Sequence, residues 1–178
     1  MIGVDIIDLT YPGNFKKHSF EDYTSRILDF SELTVCSDIG DLILVWCIKE
    51  SIYKSWCNGG GKQFYNPKHI QIKSLDASLQ TFVGNIGGSA FYGKFSLNTG
   101  TVVSIATPGS GDLEKIKLYL AETNCQLQES AFLFGNHSHA QWNICQQPVN
   151  RVDVGSASYF YSRSHHGKWY ASVILPVA

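Results

Sequence analysis

The chain has no surplus of positive charge: 14 lysines and arginines stand against 15 aspartates and glutamates, for a net charge of −1. That balance excludes a general nucleic-acid binder, which needs a basic excess, and leaves room only for a local basic pocket. Its five cysteines, Cys36, Cys47, Cys57, Cys125 and Cys145, are an odd set with no CxxC spacing. Neither a disulfide framework nor a zinc ribbon is indicated, and they read as reduced thiols. No apolar run approaches the ~20 residues that a membrane span requires. The opening MIGVDIID is acidic where a secretory leader would be basic, so the expected compartment is the cytoplasm and the Asn136-His137-Ser138 sequon has no use there. Low-complexity blocks and short internal repeats are also missing. With 44% hydrophobic, 16% charged and 13% aromatic residues in 178, the composition is that of a single folded unit with one good core or two small subdomains sharing one.

Hydropathy patterning gives an α+β reading. Ile2 to Ile7 is short, β-branched and apolar, a buried strand interrupted by Asp5. Ser19 to Glu32 reads as a helix with Ser19 as N-cap and Glu21 or Asp22 in its first turn. Asp38 to Trp56 reads as a long, buried central helix ended by Asn58-Gly59-Gly60-Gly61. The GGGK that follows lacks the GxxxxGK[ST] spacing of a phosphate-binding loop and comes after a helix instead of before one. From Pro67 onward the period changes to two, through HIQIKSL, QTFVGNI, SAFYGKFSL and TVVSIATP, which predicts an antiparallel meander. Gly109-Ser110-Gly111 breaks the pattern. Leu113 to Glu122 then reads as a helix, and Ser156 to Tyr161 and Trp169 to Val177 read as strands with His165-His166-Gly167 in the turn between them. Residues 123–156 are polar and give no clear pattern, and the spacing of His137, His139 and Cys145 matches no standard metal site.

The chemistry concentrates where charge meets apolar sequence. A lone aspartate in a buried strand needs a partner, so Asp5 stands out. Lys49, Glu50 and Lys54 interrupt the apolar helix, and Glu50 and Lys54, at i and i+4, project from one side. That pair is either a solvated ion pair or half of a polyanion site.

Taken in order, Gly3-Val4-Asp5-Ile6, Arg26-Ile27-Leu28 with Glu32, Lys49-Glu50-Ser51-Ile52-Tyr53-Lys54, Phe64-Tyr65-Asn66-Pro67 and Ser162-Arg163-Ser164-His165 resemble the 4′-phosphopantetheinyl transferase superfamily, and in particular its acyl-carrier-protein synthase branch. The resemblance covers about the first hundred residues and the last twenty. It implies Mg2+-dependent transfer of the phosphopantetheine arm of coenzyme A to a serine of an apo acyl or peptidyl carrier protein, as in fatty acid biosynthesis, with release of 3′,5′-ADP. It further implies that Asp5 and Glu50 hold the metal, that Lys54 lies against the phosphates, that Glu50 takes the serine proton, and that Ser164 and His165 hold phosphate at the nucleotide end. Arg26 becomes a candidate for docking an acidic carrier. Two carboxylates plus phosphate oxygens and water suit Mg2+.

The chain departs from the family in two ways. The compact branch builds its site between subunits and the larger branch has two similar halves in one chain, whereas this chain lies between them in length. The reading is therefore a monomer with pseudo-repeated halves, residues 1–108 with the metal and KE motifs and residues 109–178 with the SHHG motif. The coenzyme A cleft would lie between them, with a trimer as the alternative. A third acidic ligand two residues after the aspartate is replaced by Ile7, so either water or Asp8 completes the metal shell. A non-catalytic member of the fold that grips coenzyme A or a carrier is the competing reading. A hydrolase built on Cys125 or Cys145 with His137 or His139 has no readable activating environment.

Overall fold

A computed structural model of the chain describes residues 1–11, 19–33, 36–61, 64–122, 151–154 and 156–177. The class is α+β. A five-stranded antiparallel sheet has the order β1 (Gly3–Asp8), β5 (Thr101–Thr107), β4 (Ser89–Leu97), β3 (Thr81–Ile86), β2 (Ile70–Asp76). A second, four-stranded antiparallel sheet has the order β6 (Lys117–Glu122), β9 (Trp169–Pro176), β8 (Ala157–His166), β7 (Arg151–Val154). Two helices, α1 (Phe20–Ile27) and α2 (Ile39–Asn58), are inserted between β1 and β2. Among the described residues no helix is long and apolar enough to cross a membrane.

Local chemistry accounts for the boundaries. Ser19 and Asp22 form a capping box at the start of α1, which satisfies two otherwise unpaired backbone donors. Asp38 caps α2 by accepting from the Asp41 amide, and the 20-residue helix ends where Gly60 takes a left-handed φ of +87°. Gly87 and Gly88, with φ of +58° and +83°, make the two-residue hairpin between β3 and β4, a conformation that residues with side chains resist.

β1 is the middle layer. Its residues are buried on both faces, and strand alternation sends Asp5 and Ile7 toward α2 and Val4 and Ile6 the other way. One core joins Ile7 to Ile48 and Ile52 of α2 and to Phe82, Phe91 and Phe95 of the first sheet. A second joins Ile2, Val4, Ile6 and Val103 to Ala171, Val173 and Leu175 of β9. A third packs α1 on α2 through Ile27, Leu28, Leu42 and Val45. The β1–α2 contact is very close. A Cβ on Gly3 would come within 2.1 Å of the Ser51 carbonyl oxygen and 2.4 Å of the Ser55 nitrogen, so only glycine fits.

Three expectations need correcting. α1 stops at Ile27, because Leu28 is extended and the Asp29 carboxylate instead accepts from the Ser31 and Glu32 amides, the local competition that favours turns over helix. Leu113 to Glu122 is not an α-helix: Ser110–Lys115 is a 3-10 turn and Lys117–Glu122 is β6. His165 and His166 are the last residues of β8, paired with Tyr170 and Trp169, so the turn consists of Gly167 and Lys168. Cys125, His137, His139 and Cys145 lie outside the described residues.

Candidate active site

Three elements bring charge to one place. Asp5 points from β1 toward α2, which presents Glu50 and Lys54 one turn apart, and β8 supplies Ser164. Lys54 Nζ lies 2.7 Å from Asp5 Oδ1 and 3.0 Å from Ser164 Oγ, and the Ser164 hydroxyl donates to Asp5 Oδ1 at 2.7 Å. The Asp5 side chain is 10% exposed and that of Lys54 is 29% exposed, so the cluster sits at the edge of the core and still reaches solvent.

Glu50 completes the group. Its Oε1 accepts from Trp46 Nε1 at 3.2 Å. Burial, and next the nearby negative charge of Asp5, push its carboxyl above the usual range, against the pull of Trp46 and Lys54. A carboxylate whose charge is disfavoured by burial and by a second carboxylate nearby suits a cation between the two. Tyr65, edge-on to Tyr53 at 4.9 Å, lies against the same place. Burial and then the Glu50 charge push its hydroxyl up.

A divalent metal fits Asp5 and Glu50 by donor chemistry, since Mg2+ takes one or two carboxylates and fills its shell with phosphate oxygens and water. No group of three or more acidic, histidine or cysteine side chains suited to a metal occurs among the described residues. Asp8 does not join Asp5. It faces the second sheet, where Oδ1 accepts from the Thr10 amide at 2.9 Å and the Thr10 hydroxyl at 2.6 Å, and Oδ2 from the Lys168 amide at 3.3 Å.

The structure separates Ser164 from His165. Ser162, Ser164 and His166 share the face of β8 turned to β1, whereas His165 is exposed on the other face with its ring stacked on Tyr170 at 5.5 Å. Arg26 is exposed in the last turn of α1.

One feature escaped the sequence reading. Lys49, next to Glu50, is fully buried, and its Nζ contacts Glu32 Oε2 at 2.5 Å, the Ile27 carbonyl at 2.8 Å and the Pro67 carbonyl at 3.0 Å. Glu32 also accepts from the amides of Asp29 and Ile72, both at 3.0 Å. This knot ties α1, α2 and β2 together behind the site. The available signal was a lysine inside an apolar helix, but its partner is a turn residue 17 positions away.

Cysteine chemistry finds no support among the described residues. Burial pushes Cys36 up to about 11, and Cys47, fully buried, is raised as well, which keeps both as unreactive thiols.

No curated protein matches the chain. A family model described as the 4′-phosphopantetheinyl transferase superfamily matches residues 1–106. That span carries β1 with Asp5, all of α2 with Glu50 and Lys54, and the first sheet nearly to the end of β5, and it leaves Ser164 and His165 outside. With more than half of its 178 residues matched, the chain belongs to the 4′-phosphopantetheinyl transferase superfamily.

Proposed function

We propose that the protein transfers the 4′-phosphopantetheine arm of coenzyme A to a serine of an apo carrier protein in a Mg2+-dependent reaction, giving the holo carrier and 3′,5′-ADP. The observation that carries this reading is the meeting of Asp5, Glu50, Lys54 and Ser164, from three separate elements, in one partly exposed cluster. Asp5 and Glu50 would hold Mg2+, which would neutralise charge on the diphosphate. The carrier serine oxygen bonds to the phosphorus that bears the pantetheine. The bond from that phosphorus to the bridging oxygen breaks, and the electron pair leaves on 3′,5′-ADP.

Each residue has a defined part. Glu50 takes the serine proton, directly or through water, and a carboxyl raised by burial and by Asp5 is a better base than an exposed one. Lys54 stabilises negative charge on the departing phosphate. Ser164, beside Lys54, holds phosphate at the nucleotide end; the same part is not given to His165, whose ring lies on the opposite face of β8. Residues 1–108 and 109–178 act as halves of one transferase domain, pseudo-repeated in plan, with coenzyme A in the cleft between them. The working form is a cytoplasmic monomer.

The test is incubation with coenzyme A, Mg2+ and a panel of apo acyl and peptidyl carriers, read by intact mass of the carrier. Gain of the arm, lost on chelation, supports the reading. No gain on carriers that an authentic transferase modifies, together with calorimetric binding of coenzyme A, would instead identify a non-catalytic member of the family.

A further inference from the structure

β1 ends the first sheet, so β5 pairs with only one of its edges. An open edge exposes backbone donors, and here side chains of β8 close it. Ser162 Oγ accepts from the Val4 amide at 3.2 Å and His166 Nδ1 accepts from the Asp8 amide at 3.1 Å, while Ser164, between them, holds the Asp5 carboxylate at 2.7 Å. Alternate residues of β8 thus grip Val4, Asp5 and Asp8 of β1 without a backbone ladder.

The grip is firmest at the His166 end. The Lys168 amide donates to Asp8 Oδ2 at 3.3 Å. Gly167, with φ of +56°, lies so close to Asp8 that a Cβ there would meet Oδ2 at 2.3 Å. The turn therefore holds Asp8 by backbone and side chain together, and the Tyr11 ring stands edge-on to the His166 ring at 5.3 Å. Because Nδ1 accepts in this bond, the ring N–H is the one on Nε2. Asp5 is three residues from this anchor, about 10 Å along the strand. A shift of β1 against β8 moves Asp5 relative to Lys54 and Glu50.

We propose that His166 is a positioning residue for the transfer reaction: by anchoring the Asp8 amide it fixes the height of β1, and with it the Asp5 carboxylate, against α2. The inference rests on the reading of Asp5 and Glu50 as the metal-holding pair.

The test compares wild type with His166→Leu, which fills the space without an acceptor, and His166→Asn, whose amide oxygen can take the place of Nδ1. Mn2+ affinity measured by calorimetry, kcat, KM for coenzyme A and Tm are read together. For His166→Leu the expectation is weaker Mn2+ binding and a kcat loss of about 10- to 100-fold, the scale of an ångström-level misplacement, with KM for coenzyme A little changed. His166→Asn should recover most of both. If His166→Leu lowers Tm but leaves Mn2+ affinity and kcat as in wild type, the role is structural and the proposal is overturned. Should His166→Leu not fold, His166→Gln, whose acceptor sits out of reach, carries the same decision. Wild type that binds no Mn2+ would instead overturn the metal reading, and this proposal with it.

Discussion

Glu32→Gln isolates the buried charge behind the site. It keeps the shape of the side chain and removes only the negative charge that faces Lys49 Nζ at 2.5 Å, where the lysine is fully buried and the carboxylate nearly so. The two carbonyls of Ile27 and Pro67 still solvate the ammonium, but they cannot neutralise it. Breaking one side of a buried pair typically costs 3–5 kcal/mol, and the surviving carbonyls put this case at about 3 kcal/mol. For a chain of this size that is a Tm loss of about 6–12 °C. Urea denaturation at pH 7 would read the free-energy change directly.

The sign of the pH dependence is fixed as well. Burial lowers the Lys49 pKa below its ordinary 10.5, and Glu32 opposes that shift. Without Glu32 the folded-state value falls further, so the folded protein holds fewer protons than the unfolded chain as pH approaches 10.5, and stability rises with pH. The deficit of Glu32→Gln should therefore narrow on going from pH 7 to pH 10. Adding Lys49→Met should recover much of the loss, because a buried pair replaced by uncharged residues is often close to neutral. A Glu32→Gln protein as stable as wild type at pH 7 would refute the reasoning.

Further predictions concern β1 and its neighbours. Gly3→Ala would push a Cβ against α2 backbone at 2.1 Å, and because backbone gives way poorly it should cost about 3 kcal/mol or more, visible in urea midpoints. Burial alone would raise the Asp8 pKa, but hydrogen bonds from Thr10 and Lys168 outweigh it and hold the carboxyl below its ordinary 3.8. Its stabilisation is thus present above pH 3.8 and lost as pH falls through the lower folded-state value. In Asp8→Asn that part of the acid unfolding limb should disappear, and an unchanged limb would contradict the assignment. Lys54→Ala removes the partner of Asp5 and the charge placed for the leaving group, so transfer to a carrier, followed by intact mass, should fall about 10²–10³-fold, with circular dichroism unchanged.

The parts of this molecule that were legible in the sequence are those set by short-range pattern. β1 with its misplaced aspartate, α1 with its Ser19 cap, α2 with its glycine stop, and the period-two meander from β2 to β5 follow from alternation, capping and turn chemistry. The i,i+4 spacing alone puts Glu50 and Lys54 on one side of a helix. β6 was misread because Leu118 and Leu120 alternate within a window where Leu113, Ile116 and Leu120 also fit a helix, and short apolar runs do not separate the two periods. The bonds that build the site were beyond local pattern: Ser164 reaches Asp5 across 159 residues and His166 reaches Asp8 across 158. The face of β8 that carries Ser164 and not His165 is settled by strand register, which a strand read only to Tyr161 and a turn at His165-His166-Gly167 do not supply.

The central claim is that Glu50, beside Asp5, takes part in transferring the arm. It is tested most directly by the turnover of Glu50→Gln against wild type on one accepted carrier with coenzyme A and Mg2+, each followed by intact mass. Loss of about 10²–10⁴ in rate with the fold intact is the predicted result. Wild-type turnover from Glu50→Gln would contradict the account.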